Sequence, residues 1–530
     1  MMLEPIFQES LGDMLDSMVS DAPVIFHNGQ YLSFRNLADE SRRVAAGLQK
    51  LGIQPGDRVA IWLPNTPEWP ILYFACARLG AIAVAVNTRF RSSEVGDTVG
   101  RSGCKMIVLW PNFKEIDFVA ILRDVETGML EAVEHIVACR QTGKDTPEIL
   151  PGRAHCPFEE LSACAPIEQD HGTPDSSCTI FTTSGTTSAP KFVLHKQSAL
   201  TSHARDTAAA LDLEMPGVTL LQVLPFCGTF GLSQFLSGLA SGQMAVLQTT
   251  FNAEEAVELG RRHQVTHFCA SDDMVARMLS ATDYQVPLPA LRFCGFARFA
   301  GMPGLVERAR ERGIAMRGLY GMSECQALFA VQPDEPERRE FGGGIPVSAE
   351  AKVRAVDPDT EQVLDHSQVG ELQLITPSLM QGYFANPEAT SRAYTEDGYF
   401  RTGDMGYTLA DGGFMFMTRA GDALRLGGFL VAPAEIEAYL ERHPDVLGCA
   451  IVTGTKRHVQ RAIAFVCCDS GAQVDEADLM AFCREGLANF KVPARIFFLE
   501  EFPTVQSANG TKKRRKELRQ MAHEWTLGDT

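Results

Sequence analysis

The chain has no excess of positive charge: over 530 residues its formal net charge is -18 at pH 7. Nucleic-acid binders need a basic face that displaces counterions from phosphates, so the composition argues against that class. An anionic substrate must then be met by local positive charge, against the overall field. Metal-type cysteine pairs are also missing. The fourteen cysteines are scattered from Cys76 to Cys483 with no CxxC spacing, and the adjacent pair Cys467-Cys468 closes an apolar run that starts at Ala462. They read as free buried thiols of a reducing compartment. No stretch reads as a membrane span, because the most apolar one, 69–86, is interrupted by Arg78 and Gly80. The N-terminus carries Glu4, Glu9, Asp13 and Asp16 in place of the basic start of a secretory signal. The last residues, Leu527-Gly528-Asp529-Thr530, are not a peroxisomal address. The expectation is a cytoplasmic protein without stable membrane insertion. There is no internal repeat.

The length exceeds what one hydrophobic core spans, so more than one domain is expected. Apolar residues recur with a helical period over 37–51, Gly52 stops them, and Pro55-Gly56-Asp57 turns the chain into a strand at 58–63. A helix at 67–79 and a strand at 81–86 follow, with further strands at 104–110, 220–224, 243–248 and 266–270. Strands alternating with helices imply parallel sheets with crossover helices. The stretch 141–175, richer in Pro and Gly, reads as surface connection. Beyond Asp404 the character changes to glycine pairs, turns and short strands. A helix at 433–442 and a strand at 446–452 then open a compact unit of the size of one small α+β domain.

Three separated stretches concentrate the chemistry. Thr182-Thr183-Ser184-Gly185-Thr186-Thr187-Ser188-Ala189-Pro190-Lys191 packs hydroxyls, a glycine and a lysine into one loop. Its hydroxyl and N–H donors, with the charge of Lys191, suit a migrating polyphosphate. It is not a Walker loop, since Pro190 stands where GxxxxGK[ST] has its second glycine and Phe192 follows the lysine. Tyr320-Gly321-Met322-Ser323-Glu324 offers a flat face for a purine, a hydroxyl, and a hard oxygen ligand for Mg²⁺, which keeps several waters and takes few protein ligands. Tyr399-Phe400-Arg401-Thr402-Gly403-Asp404 ends in a turn expected to point the Asp404 carboxylate outward. Each stretch alone has a plainer reading, as a polar loop, a turn or solvated charge. Their order and spacing carry the assignment.

Together these stretches resemble the acyl-adenylate-forming (AMP-binding) superfamily, which includes acyl-CoA synthetases, aryl-CoA ligases, luciferases and peptide-synthetase adenylation domains. The resemblance spans roughly 32–519. It implies an α/β fold: a large multi-sheet N-terminal domain with parallel-type sheets, 1–421, and a small mobile α+β C-terminal domain, 422–530, hinged at Asp422. It implies that Thr183, Ser184, Gly185, Thr186, Thr187 and Lys191 hold the phosphates, that Tyr320, Gly321, Met322 and Ser323 line the nucleotide, and that Glu324 holds Mg²⁺. Ala297-Arg298-Phe299 would line the other adenine face. Asp404 would accept from the ribose hydroxyls, Arg419 would contact ribose and phosphates, and Gly427-Gly428 would approach the pantetheine of coenzyme A, where absent side chains allow backbone contact. The chain also departs from the family pattern. Ser188 and Phe192 stand where glycine is usual, which implies a less mobile loop. Arg298 falls in a segment that is commonly Gly-Gly-Ala, and stacking on the purine or meeting a phosphate are both open to it. Thr418 replaces a glycine, Arg425 a common lysine, and Ser323 keeps the hydroxyl of the usual threonine.

A basic run such as Lys512-Lys513-Arg514-Arg515-Lys516 is ordinarily a solvated helix face. After the turn Asn509-Gly510 it instead resembles the family loop whose catalytic lysine bridges the acyl carboxylate and the α-phosphate. Thr511 stands where glycine commonly precedes that lysine. Lys513 competes for the role, and anchoring on Glu517-Leu518-Arg519 favours Lys512. The run from Leu224 to Gly231 resembles the acyl-pocket motif, so Phe226, Cys227, Gly228 and Phe230 are the expected acid pocket. No acidic residue lies between Leu221 and Gln243. A substrate ammonium would be buried there without a partner, which disfavours amino acids. Cys227, flanked by apolar residues and without a nearby histidine, reads as lining and not as a nucleophile. Gly228 removes bulk.

The resulting expectation is an ATP-dependent acid–thiol ligase. A carboxylate attacks the α-phosphate of ATP and releases pyrophosphate; the thiol of coenzyme A then attacks the acyl-AMP and AMP departs. ATP, Mg²⁺ and coenzyme A are the expected cofactors and a small-molecule carboxylic acid the partner, with no nucleic acid, in a monomer or homodimer. The resemblance also implies a place in fatty acid metabolism. Two alternatives stay open: a stand-alone ligase that loads a carrier protein, and a nucleotide-binding family member with weak catalysis.

Overall fold

The computed structural model describes residues 8–140, 149–183, 190–299, 302, 304–422, 424–426, 429–431, 433–456, 459–469, 472–487, 489, 491–507 and 510–527. Two large sheets dominate it. In the first, of thirteen strands, Pro23–His27, Met244–Leu247, Thr219–Gln222, His267–Ser271, Phe293–Ala297 and Met316–Met322 run parallel. The chain then reverses into Gln326–Val331, and the strands beyond it, including Phe400–Thr408 and Phe414–Arg419, pair antiparallel. The second sheet has eight strands, parallel from Ala154–Pro157 through Ser177–Thr182 and closed at its other edge by the antiparallel strands Phe192–Lys196 and Gly382–Tyr383.

Helices fill the space between the sheets. Phe34–Lys50 is capped by Ser33, whose Oγ accepts from Asn36 N at 3.1 Å. It turns Leu37, Val44, Ala45 and Leu48 inward, as its 3.6-residue period requires. Thr229–Ala240 is buried on every side, and its polar residues Ser233, Gln234 and Ser237 are hydrogen-bonded there. One core joins Val59 and Ile61 of the second sheet, Ile25 and Leu247 of the first, and Trp69, Phe74, Phe226 and Phe235 of the intervening elements. Separate cores cover the outer faces of the two sheets.

The C-terminal region builds its own cores. One joins Leu424, Ile436, Ile451, Ala464, Leu479 and Ile496, and another Val452, Phe465 and Leu518. Its sheet is Val446–Lys456, Val459–Cys468 and Arg495–Phe498, beside a hairpin of Thr504–Ser507 and Gly510–Lys513 and the helix Arg515–Leu527. Among the described residues no helix is long and apolar enough to cross a membrane.

The predicted helix at 37–51 is therefore present as Phe34–Lys50, and the strand at 58–63 as Arg58–Trp62. The stretch 141–175 is not merely surface connection. It contains an edge strand, Ala154–Pro157, and a helix, Phe158–Ser162, which packs against Phe34–Lys50. Gly47 permits that approach, since a Cβ there would lie 2.7 Å from Leu161 Cα.

Gly231 has a similar role at the acid-pocket motif. A Cβ on it would overlap the carbonyl oxygens of Pro225 and Leu224. Gly231→Ala is accordingly expected to destabilise the chain by about 1–3 kcal/mol through overpacking against rigid backbone, measured as a lower urea midpoint with an unchanged slope.

Candidate active site

The phosphate loop springs from a hairpin. Ser177–Thr182 pairs with Phe192–Lys196, and the stem is extended by Thr183 N donating to Lys191 O at 3.0 Å and Lys191 N donating to Thr183 Oγ1 at 3.2 Å. Ser184, Gly185, Thr186, Thr187 and Ser188 lie outside the described residues. Lys191 places its ammonium 4.5 Å from the centre of the Tyr383 ring. Phe192 is buried, with the Arg101 guanidinium 4.5 Å over its ring. Its replacement of a glycine is thus absorbed as packing.

The second stretch ends the last parallel strand, Met316–Met322, and turns into Gln326–Val331. Gly321 is demanded by this turn, because a Cβ would lie 2.7 Å from Ala327 Cα. Ser323 is a junction: its carbonyl accepts from His195 Nε2 at 2.7 Å and its hydroxyl from Thr229 Oγ1 at 3.3 Å. Met380 N donates to Glu324 O at 2.7 Å, and Tyr383 OH to Glu324 Oε1 at 3.0 Å. Burial, then the Glu324 charge, raises the Tyr383 pKa, so its phenol stays a donor. Among the described residues no three Asp, Glu, His or Cys side chains cluster as a cage. A lone anchored carboxylate does fit Mg²⁺, which fills its remaining positions with water and phosphate oxygens.

Asp404 lies in Phe400–Thr408, directly opposite Arg419 of Phe414–Arg419. It does not point outward as expected: the residue is only 1 % exposed. The left-handed turn at Gly403, φ +66°, is present, but the carboxylate is drawn inward by Tyr320, whose OH donates to Asp404 Oδ2 at 2.6 Å. Tyr320 is itself buried, with Phe414 meeting it edge-on at 5.0 Å between ring centres. Arg419 Nη1 stands 2.9 Å from Asp404 Oδ1 as an ion pair, yet that oxygen has no hydrogen-bond donor among the described residues. Burial pushes the Asp404 pKa up to about 6, opposed by Arg419 and by the Tyr320 hydroxyl and aided by the charge of Glu324. Burial acts to lower the Arg419 pKa, but Asp404, Glu324 and Asp422 around it leave the net shift upward.

The remaining predicted residues fall around this centre. Ala297 ends its strand beside Ser271, Arg298 is exposed, and Phe299 N donates to Asp272 Oδ1 at 3.2 Å. Of the expected acid pocket, Phe226 and Phe230 are core residues, Phe226 packing on Trp69 and Phe235 and Phe230 joining the outer core. Phe226 is fixed there because its N–H donates to Asn65 Oδ1 at 2.9 Å. Cys227 is half-buried, with its thiol pushed up to about 12 by burial, against the charge of Arg89. That excludes a thiolate nucleophile. Gly228 caps the buried helix whose first residue, Thr229, reaches Ser323.

Asp422 is half-buried and ion-paired with Arg519, and its N–H donates to Arg419 O at 2.9 Å. Gly427 and Gly428 lie outside the described residues. Lys512 sits in the strand Gly510–Lys513, opposite Val505, and this strand packs against the helix Asp272–Ser280. The competing Lys513 is engaged within the C-terminal region, donating to Cys449 O at 2.8 Å with its ammonium 4.3 Å over Phe502. Sequence reasoning missed His195, Thr229 and Tyr383. A histidine directly after the apolar run 192–194 in the strand Phe192–Lys196 is the one available signal for His195, and nothing local marks Tyr383.

The AMP-binding enzyme family matches residues 17–384 and the AMP-binding enzyme C-terminal domain matches 435–509. The chain is 31 % identical over 493 residues to 2-succinylbenzoate–CoA ligase of Geobacillus kaustophilus, covering 92 % of this chain and 93 % of that protein. It is 29 % identical to sulfoacetate–CoA ligase of Cupriavidus necator, with 90 % of each covered. It is 28 % identical to 4-coumarate–CoA ligase 2 of Nicotiana tabacum, covering 93 % of this chain and 90 % of that one. Its fold is similar to that of ATP-bound MatB from Rhodopseudomonas palustris, with a TM-score of 0.81 at 23 % identity, covering 97 % of this chain and 99 % of that one.

The raised pKa of Asp404 gives stability and ligand binding opposite pH trends. Its folded value of about 6 lies above the ordinary carboxylate range, so between that range and pH 6 the folded state holds the extra proton. Its contribution to stability is greatest at low pH and is lost as the pH rises through 6. A ribose whose hydroxyls donate to this carboxylate would bind the ionised form. Adenosine, which has no phosphate to titrate, is therefore expected to bind fully above about pH 7 and to weaken roughly tenfold per unit below pH 6. Calorimetric titration of wild type and Asp404→Asn checks this, the variant binding weakly with a flat profile.

Proposed function

Because the chain belongs to the AMP-binding enzyme family, we propose that the site around Asp404, Ser323 and Glu324 is where it brings ATP and its acid together. The chain is an ATP-dependent, AMP-forming acid–CoA ligase, with ATP and coenzyme A as co-substrates and a small-molecule carboxylic acid as substrate. One observation carries the assignment of the site: Asp404 Oδ1 is buried and, among the described residues, meets only the Arg419 guanidinium at 2.9 Å, without a formed hydrogen bond. A buried acceptor held by an ion pair alone has room for a hydrogen bond, and the hydroxyls of a ribose supply such donors.

With the ribose at Asp404 and Arg419, the nucleotide runs past Tyr320, Gly321, Met322 and Ser323 on one side and Ala297, Arg298 and Phe299 on the other. Its phosphates lie toward Thr183, Ser184, Gly185, Thr186, Thr187 and Lys191. Glu324, steadied by Tyr383, is the residue that would hold Mg²⁺ there. When bound, Mg²⁺ offsets the negative charge of the phosphates. The acid enters beside Cys227 and Gly228, whose helix is joined to Ser323 through Thr229. Lys512 is brought in on its hairpin and sets its charge against the acyl carboxylate and α-phosphate as they meet. The domains divide at 421/422, with Asp422 as pivot, and Gly427-Gly428 approaches coenzyme A after adenylation. The acids named for the relatives, succinylbenzoate, sulfoacetate and coumarate, include no fatty acid, and the absence of an acidic residue between Leu221 and Gln243 supports an acid without an α-amine.

Two measurements test this reading. Lys512→Ala is expected to lower pyrophosphate release by ~10²–10³-fold while thioester formation from supplied acyl-AMP survives. Lys513→Ala should keep adenylation and lose stability, and the reverse pattern would transfer the role to Lys513. Across a panel of acids, pyrophosphate release should favour deamino acids over the matching α-amino acids, and a preference for the amino acids would refute the pocket assignment.

A further inference from the structure

His195 is fully buried in the strand Phe192–Lys196, four residues beyond the phosphate-loop lysine. Its partner, the Ser323 carbonyl at 2.7 Å, can only accept. The proton is therefore on Nε2, and Nδ1 is a bare acceptor. That Nδ1 is buried with no partner among the described residues. An apolar residue would fill the place without an orphaned acceptor, so the ring's presence is explained by what Nε2 does. Burial holds the ring neutral, its pKa pushed down to about 4.

The segment that His195 holds is strained. Beyond Glu324, Gln326 and Leu328 both adopt left-handed backbone, at φ +72° and +67°. Non-glycine residues persist in that region only where their surroundings over-determine it. The ties come from one place. His195 is in the strand that leaves the phosphate loop, and His203, in the helix that follows, donates Nε2–H to Ala327 O at 2.6 Å. The same strand pairs with Gly382–Tyr383, with Val193 opposite Tyr383 and Leu194 opposite Gly382, and Tyr383 OH is the donor to Glu324 Oε1. Ser323 and Glu324 are thus both referenced to the strand that begins at Phe192.

We propose that His195 is a positioning residue that sets the Ser323–Glu324 turn at a fixed distance from the phosphate loop. It touches neither substrate nor metal; it acts through the Ser323 carbonyl. The proposal rests on the reading of Glu324 as the residue that holds Mg²⁺ on the phosphates.

Two near-isosteric variants of the full chain separate this from simple packing. Glutamine can place an N–H donor near the position of Nε2, whereas asparagine's donor falls short, near Nδ1. His195→Asn is expected to raise amide hydrogen exchange at 320–328 by about tenfold and the Mg²⁺ concentration for half-maximal pyrophosphate release by about fivefold, the loss expected for one buried hydrogen bond. Thioester formation from supplied acyl-AMP should be unaffected, and His195→Gln should restore both readouts. The proposal is overturned if both variants match wild type, or if both raise exchange equally throughout the two large sheets. Glu324→Gln is the control. If it leaves the Mg²⁺ requirement unchanged, the metal reading of Glu324 fails, and local exchange in the two His195 variants alone decides the tether.

Discussion

A carboxylate withdrawn from water must be compensated or it destabilises the fold by several kcal/mol, and Asp404 is such a group. Its compensation is incomplete: one oxygen takes the Tyr320 hydroxyl, while the other has only an imperfectly aligned ion pair with Arg419. Much of the architecture follows from that single burial. Tyr320 has to reach it from the end of the last parallel strand, and Arg419 from the neighbouring antiparallel one. The parallel and antiparallel parts of the thirteen-stranded sheet are thereby joined at one carboxyl group. Arg419 also sits in the field of Glu324 and Asp422, and Asp422 is held in turn by Arg519 of the last helix. Asp404, Glu324 and Asp422, the proposed ribose grip, metal carboxylate and domain pivot, therefore belong to one chain of charges.

The location of this chain is a consequence of topology. In open α/β sheets, ligands bind beyond the carboxyl ends of the parallel strands. Thr182 ends a strand of the second sheet, while Ala297 and Met322 end strands of the first. The two sheets meet here, where His195 of the second donates to the Ser323 carbonyl beyond the last parallel strand of the first. The buried helix Thr229–Ala240 brings the acid-pocket motif to the same place, since its first residue meets Ser323.

What could be read from the sequence is what local rules determine. The helical period ending at Gly52 and the strand after Pro55-Gly56-Asp57 depend on neighbours a few residues away, and both are present. The three motif stretches stand out in the sequence because the residue types that phosphate, purine or ribose binding would need are contiguous within each. What failed depends on distant partners. The turn at Gly403 is local, but the inward direction of Asp404 is set by Tyr320, far away in the chain. Phe226, expected to line the acid pocket, also packs on Trp69 and Phe235, partners that nothing in its own segment marks. The choice between Lys512 and Lys513 rested on register alone, whereas the contact of Lys513 with Cys449 could not be foreseen from either segment.

The departures from the family pattern obey one steric rule. Glycines that face backbone at short range are kept: Gly321 abuts Ala327, and Gly231 abuts Pro225. Gly403 is kept for a different reason, since nothing lies near it but its backbone is left-handed. Where neither condition holds, a side chain has entered. Thr418 occupies an ordinary strand position opposite Met405. Phe192 pairs with Thr182 in the hairpin stem, its ring buried beneath Arg101. Phe192 thereby anchors in the core the stem of the hairpin that carries Lys191. The strand that begins at Phe192 also carries the ties to Ser323 and, through Tyr383, to Glu324. A phenylalanine anchored in the core at the head of that strand fixes the origin from which Glu324, the proposed metal carboxylate, is positioned.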